Sequence, residues 1–319
     1  MAPRLARVRA AVIADKSLSW SQWPDPVPGT GEVLVEVHAA GVNRADLLQR
    51  AGHYPPPSGI PPEIPGLECA GIVVDAGPGT RRFVVGDRVM GLLGGAGQAE
   101  LAVMHERIAM AVPAGIALDV AGGFCEAFAT AHDAVFTQCR LGAGERLLVS
   151  GAAGGVGIAA VQLGVAAGAT VVASVRDGER RDAVAAFGAT PVAPEEIASH
   201  GPYDVVLELV GGPNIAADLA ALTTGGRIVV IGTVAGSRAE LDLQLLMVRR
   251  ATIRASTLRA RPLEEKALVA RALERHVLPL LAAGRVAVPI ESRFAFADAQ
   301  AAYERFAAGG KLGKIVLVR

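Results

Sequence analysis

The chain has 319 residues, 31 Lys plus Arg against 31 Asp plus Glu, and 51% hydrophobic residues. That length admits two ordinary domains, and the zero formal charge leaves no basic field to hold nucleic acid or an anionic membrane non-specifically. Cys69, Cys125 and Cys139 are scattered and form no C-x-x-C, so neither a disulfide scaffold nor a thiolate metal site is expected.

The opening MAPRLARVRAAVIADK is basic, but its apolar run is too short for a signal peptide, and a cytoplasmic location is expected. Residues 6–15 and 32–40 read as strands with the Pro/Gly-rich turn WPDPVPGTGE between them. NRADLLQRAG reads as a short helix ended by Gly52, and the proline run after it as irregular chain. CAGIVVDAG, DRVMGLL and GQAELAVM are three further strand-like pieces, so this first part is mostly β. The pattern then changes. LDVAGGFCEAFATAHDAVFTQCR has helical spacing, and after it strands and helices alternate. The strands are ERLLVS, TVVASV, YDVVLELVG and RIVVIG; the helices are GIAAVQLGVAAG, ERRDAVAAFG and NIAADLAALTTGG. Such βαβα alternation predicts a doubly wound parallel sheet. PLEEKALVARALERHVLPLLAAG reads as one long helix, followed by VAVPIESRFAF, a helix DAQAAYERFAAG and a strand KIVLVR. Both chain ends therefore build one β-rich domain (1–122 and 262–319), and an α/β domain (123–261) is inserted between them.

Residues 147–175 carry no charge and are long enough to cross a bilayer. Their glycines, however, cluster as in a turn, and TVVASV is β-branched, so strand, turn, helix and strand fit better than one spanning helix. In LLVSGAAGGVGIAAVQLG, Gly151, Gly154 and Gly157 are spaced G-x-x-G-x-x-G between a strand and a helix. Ala152 stands where the first glycine of a G-x-G-x-x-G fingerprint with Gly154 and Gly157 would fall. Orphan N–H groups and the helix dipole at such a turn favour a dinucleotide pyrophosphate. Gly151, Ala153, Gly154, Gly155 and Val156 are therefore read as cofactor-binding; close packing of the turn is the other reading. The second strand ends at Ser174 without the Asp or Glu that bonds an NAD ribose. Arg176 and Arg180 follow, which favours NADPH, although Asp177 and Glu179 weaken their field.

Taken together, GVNRADLLQRAGHYPPP, PGLECAGIVVDAGPG, VGDRVMGLL, GAAGGVGIAAVQLG, DVVLELVGG and GKLGKIVL resemble the medium-chain dehydrogenase/reductase superfamily. Within it they are similar to the zeta-crystallin-like quinone oxidoreductase branch. The resemblance runs over nearly the whole chain and implies a GroES-like β-rich domain plus a Rossmann domain. Zinc-dependent members carry a Cys after the G-V-N-like turn, a His before the Glu of the next motif, and a four-Cys lobe. Here those places read GVNRADLL, Leu67-Glu68 and GLLGGAGQAELAV. The expectation is therefore no metal, with Glu68 structural.

The resemblance further implies Tyr54 at the substrate pocket and Asn43 near the nicotinamide, both counted as catalytic and Asn43 also as cofactor-binding. Packing for Tyr54 and N-capping for Asn43 are the plainer alternatives. Thr130 and Lys314 are implied beside the cofactor, while Gly232 and Thr233 are read as cofactor-binding because they follow the strand RIVVIG at its carboxyl end, where ligands of parallel sheets bind; a simple turn is the other reading. Glu195 stands roughly where family members often carry a Tyr over the adenosine phosphate, which tempers NADPH. The activity implied is NADPH-dependent, zinc-independent reduction of a quinone. Reduction of an enone or enoyl thioester is the rival, because polyketide enoyl reductase domains share GVN…GHYP-type sequence. A catalytically weak NADPH-binding protein is a third reading. A homodimer is implied, with RATIRASTLRAR as its edge strand, and neither nucleic acid nor membrane is expected as a partner.

Overall fold

The computed structural model describes residues 7–319. Ala6 of the predicted first strand, and the residues before it that enter the signal-peptide reading, lie outside these. Two compact units divide the chain: residues through Ala129 with Leu258–Arg319, and Thr130–Thr257. The sequence reading set the junctions at 122/123 and 261/262. The helix that begins at Cys125 starts in the first unit because the Glu126 N–H is bonded to Glu68. Leu258 and Arg259 stay there because Arg259 donates to Gly94 and Tyr54.

In the first unit, β1 (Arg7–Ala14) and β2 (Ser17–Pro24) pair as a hairpin. The sequence signal for β2 is weak, because its turn is Asp15-Lys16, both left-handed at φ 48° and 61°, rather than a glycine pair. Next come β3 (Glu32–Val42), β4 (Glu68–Ala76), β5 (Arg88–Leu92), β6 (Leu101–His105) and β7 (Ala109–Ala111). Val33, Val35 and Val37 alternate into the core with Phe83 and Met104, as a strand with one packed face must. The helix Arg44–Arg50 ends before Gly52, at φ 82°. The helix predicted over residues 118–140 is broken into Leu118–Ala121, Cys125–His132 and a π-helical turn Asp133–Gln138. The break falls at Gly122, where a β-carbon would lie 2.6 Å from that of Ala39 on β3.

The second unit contains β8 (Arg146–Ser150), β9 (Thr170–Ser174), β10 (Thr190–Val192), β11 (Tyr203–Glu208), β12 (Leu222–Val230) and β13 (Thr252–Ala255). Their order is β10-β9-β8-β11-β12-β13 and every pairing is parallel. This is the 3-2-1-4-5-6 arrangement, whose order reverses between β8 and β11. The stretch from Leu147 to Val175 is strand, turn, helix (Gly155–Ala166) and strand. Among the described residues no helix is long and apolar enough to cross a membrane. The helix predicted over residues 214–226 covers only Ile215–Ala220, since the β-branched Thr223 and Thr224 go into β12.

Back in the first unit, the predicted long helix is two, Leu263–His276 and Leu278–Ala282, because Pro279 cannot donate to a continuing helix. Last come β14 (Ile290–Ala295), the helix Ala299–Ala307 and β15 (Lys314–Val318). The sheet order is β14-β15-β3-β4-β5-β7, with β6 also on β3. The final strand thus lies inside the sheet. The fold is a GroES-like β-rich unit plus a Rossmann-type doubly wound parallel sheet.

Candidate functional site

Ligands of doubly wound sheets sit beyond the carboxyl ends of the strands at the switch point. Here that place holds the turn after β8. Gly151 takes φ 72°, and Gly154 precedes the helix Gly155–Ala166 in extended conformation. The glycines differ in their reasons. A β-carbon on Gly157 would come within 2.6 Å of Ala152 Cα and 2.7 Å of Gly151 O, so Gly157 serves close packing. Over Gly154 the nearest atom lies 3.8 Å away, which leaves a cradle that a β-carbon would begin to fill. Gly154 N bonds back to Gly151 O at 3.4 Å, and after it, with Ala153 before, Gly155 and Val156 open the helix with N–H groups of the kind that can hold a pyrophosphate.

Ser174 closes β9, and its carbonyl accepts from Ala152 N at 3.1 Å. Arg176 beyond it is exposed, while Arg180 is paired with Asp177 at 2.8 Å. Glu195 is exposed after β10. Gly232 and Thr233 follow β12. Gly232 packs on the Leu209 backbone, and Thr233 is exposed. Thr130 is buried on the helix Cys125–His132.

The first unit contains a buried polar cluster. Glu68 Oε1 accepts from Lys314 Nζ at 2.6 Å and Asn43 Nδ2 at 2.9 Å, and Oε2 accepts from Glu126 N at 2.8 Å. Lys314 Nζ also donates to Asn43 Oδ1 at 2.5 Å. Asn43 occupies the N-cap position of the helix Arg44–Arg50, yet its amide goes to Glu68 and Lys314. Gly41 leaves room for Glu68, whose carboxyl a β-carbon would overlap. Asp46 accepts from Asn43 N at 2.8 Å and Gly66 N at 3.0 Å, and burial pushes its carboxyl up to about 7. Burial also pushes the Cys69 thiol to about 12 and the Cys125 thiol well up.

Tyr54 is half-buried on the proline-rich loop. Its carbonyl accepts from Arg259 Nη1 at 2.7 Å, and its ring centre lies 5.0 Å from the guanidinium carbon. Burial raises the phenol, Arg259 opposes that rise, and the Glu126 charge adds to it. Arg259 is itself buried, donates to Gly94 O at 2.8 Å and to Gln49 Oε1, and among the described residues its acceptors are neutral.

The sequence reading thus named Asn43 and Lys314 separately, and the structure joins them. It did not name Asp46, Gln49, Arg259, Glu208 or Asn214. Arg259, in ASTLRAR, looks like surface charge. The acid ending the apolar run DVVLE was the one available signal for Glu208.

An alcohol dehydrogenase GroES-like domain model matches residues 29–140, and a zinc-binding dehydrogenase model matches residues 155–274. The chain is 32% identical over 219 residues to a quinone oxidoreductase of Rattus norvegicus, covering 65% of this chain and 66% of that protein. It is 31% identical over 313 residues to a mycocerosic acid synthase-like polyketide synthase of Mycobacterium tuberculosis, covering 95% of this chain but 15% of that protein. The solved structure of an alcohol dehydrogenase superfamily protein from Novosphingobium aromaticivorans superposes with a TM-score of 0.86 at 27% identity, covering 98% of this chain and 99% of that one.

The zinc in the second model's description does not suit the donors present. A zinc set needs deprotonated soft or nitrogen ligands. Here the Glu68 carboxylate is saturated by an ammonium and two N–H donors, Asp46 already accepts from two backbone N–H groups, and both thiols beside Glu68 are held protonated. Among the described residues no three His, Cys, Asp or Glu side chains are grouped to hold a metal ion. The glycine turn, the parallel sheet and the matches over both units agree, and the chain belongs to the medium-chain dehydrogenase/reductase superfamily, in its quinone oxidoreductase branch.

Proposed function

We propose that the protein is an NADPH-dependent, zinc-independent reductase that passes a hydride to a quinone. The observation that carries this reading is one chain joining a dinucleotide turn at the switch point to a polar cluster that an ammonium already neutralises. Bound, the dinucleotide supplies the hydride. The N–H groups of Gly155 and Val156 hold the pyrophosphate over the Gly151, Ala153 and Gly154 turn, and Gly232 and Thr233 flank it. Ser174 leaves room at the ribose, and Arg176, with Arg180 once it leaves Asp177, meets a 2′-phosphate. Thr130 lies along the same cofactor. Asn43, held by Lys314 and Glu68, is assigned to the nicotinamide end. Hydride and one proton together convert a quinone to its hydroquinone, and charge develops on the acceptor oxygen as the hydride arrives. Tyr54 donates its hydroxyl to that oxygen and supplies the proton, which solvent restores.

The polyketide synthase match spans 95% of this chain and favours a second reading, reduction of an enoyl thioester. A homodimer working in the cytoplasm belongs to the same proposal. It is supported by the open edge of β13 and by exposed Leu243, Met247 and Val248 on the helix Leu243–Arg249 just before it.

Stopped-flow mixing of chelator-treated protein with NADPH or NADH tests the proposal against 1,4-benzoquinone, 9,10-phenanthrenequinone and a crotonyl thioester. Rapid NADPH oxidation by the quinones supports it. Turnover with the thioester alone moves the assignment to enoyl reduction. Tight NADPH binding without turnover leaves a binding role, and a preference for NADH overturns the cofactor assignment.

A further inference from the structure

The second unit buries two carboxyl groups at its switch point that the reading above leaves unused. Glu208 ends β11, Asp218 lies on the helix Ile215–Ala220, and they are 0% and 1% exposed. Glu208 Oε1 accepts from Val210 N and from Gly211 N at 2.6 Å, and Oε2 accepts from Asn214 Nδ2 at 3.1 Å. The same Asn214 amide reaches Ser150 Oγ at 3.1 Å, so it ties the end of β11 to the end of β8. Asp218 Oδ2 is buried and meets no donor among the described residues, while Asp218 stands one helical turn beyond Asn214, whose amide bonds Glu208, and the Glu208 charge acts on its carboxyl. Two carboxylates in one dry site cannot both ionise. A proton on Asp218 resolves the conflict and gives Glu208 a further donor.

What Glu208 holds is the stretch Leu209–Gly211, and that stretch backs both turns of the dinucleotide site. A β-carbon on Gly151 would lie 3.3 Å from Val210 Cγ2 and 3.5 Å from Leu209 Cβ. Gly211, at φ 122°, has room for a hydrogen only, since a β-carbon there would stand 2.7 Å from Thr233 Cα. Val210 O accepts from Ala235 N at 2.9 Å. One buried carboxylate therefore fixes the spacing between the Gly151 turn and the Gly232–Thr233 turn.

We propose that Glu208 and Asp218 are a proton-sharing pair that positions these two turns, so that the dinucleotide site keeps its shape only while the pair holds one proton. The proposal rests on the reading of these turns as the dinucleotide site. Neither side chain is assigned a contact with the cofactor; both are positioning residues. Burial first, and the Glu208 charge second, keep the proton on Asp218 up to about pH 8. Elements packed around Asp218 bring few other titratable or charged groups. Tyr203 on β11 faces it as a neutral phenol, pushed up to about 12. Asp204, at the far end of β11, accepts from Arg146 N and Thr223. Arg227 on β12 is bound to Glu145, and Arg249 donates to Ala220 O.

The test is NADPH affinity, followed by nucleotide fluorescence across pH 6.5 to 9.5, for the wild type, Asp218→Asn and Glu208→Gln. In the wild type, affinity falls about tenfold for each pH unit above the pKa of the pair, as loss of one required proton demands. Asp218→Asn keeps a permanent donor to Glu208, and its affinity stays level over the range. Glu208→Gln has one acceptor where four donors converge, and binds about tenfold more weakly at every pH while its circular dichroism stays native. Parallel pH profiles for the wild type and Asp218→Asn overturn the pair and leave the dinucleotide reading standing. Absence of NADPH binding at any pH in the wild type overturns both. The comparison of wild type with Asp218→Asn decides the matter even where Glu208→Gln does not fold.

Discussion

Lys314 places an ammonium, with 5% of its side chain exposed, against a carboxylate that is fully buried. Removing one partner of such a pair strands the other's charge, and Lys314→Met is expected to cost about 3–5 kcal/mol in urea denaturation. Adding Glu68→Gln to it should restore part of that loss, because no bare charge is left behind. Asp218 gives the opposite sign from an ordinary carboxylate. Its folded-state pKa is raised to about 8, so the folded protein keeps a proton that the unfolded chain releases. Stability from this group therefore falls as pH rises from the ordinary carboxylate range toward 8 and levels off beyond it. Asp46, raised to about 7, adds a slope of the same sign. Denaturation midpoints at several pH values should show this decline in the wild type and a shallower one in Asp218→Asn. At Tyr54, Tyr54→Phe should lower kcat on quinones by about tenfold or more with NADPH affinity unchanged, since the hydroxyl is assigned to the acceptor oxygen. Individual side chains were legible in the sequence where a motif framed them, as with Asn43 in GVNRAD. Arg259 was not, because burial of an arginine among carbonyls leaves no trace in neighbouring residue types.

Two glycines of one turn are expected to part company when each gains a methyl group. Gly157→Ala drives a β-carbon into the Ala152 and Gly151 backbone, and should lower stability by about 1–3 kcal/mol. Gly154→Ala meets nothing closer than 3.8 Å at an ordinary φ of −77°, so its thermal midpoint should barely move. Its NADPH affinity should nevertheless fall about tenfold or more, because the methyl group occupies the phosphate cradle. Melting curves beside fluorescence titrations separate the two. The sequence pattern located this turn and most of the helices and strands, since period and punctuation survive in single segments. It missed where elements stop for reasons held by distant partners. Gly122 breaks a helix because Ala39 is close, and the chain leaves its helix where Leu222 pairs with Tyr203 on β11, with Thr223–Gly226 an irregularity before regular pairing resumes at Arg227.

As a whole, the molecule is expected to sediment as a dimer at micromolar concentration. Leu243 and Met247, 65% and 71% exposed one helical turn apart, form an apolar stripe just before the edge strand β13. Met247→Glu should shift sedimentation toward the monomer without lowering the thermal midpoint of the second unit, because the side chain packs on little in its own chain. Alternation of β and α segments made the two-unit plan readable. The strand order did not follow from it, since pairing partners far apart in the chain leave no local signal. That order has a consequence for the timing of synthesis. The second unit is complete once Thr257 has been made, but β15 pairs with β3 and β14 in the interior of the first sheet. A ribosome must therefore deliver the residues of β15 before that sheet can close. Until then β3 is missing one of its hydrogen-bonded neighbours, and the Glu68 carboxylate awaits a cation that lies 246 residues further along the chain. Nascent chains halted shortly before Lys314 should carry a protease-resistant second unit beside a first unit that is still cleaved.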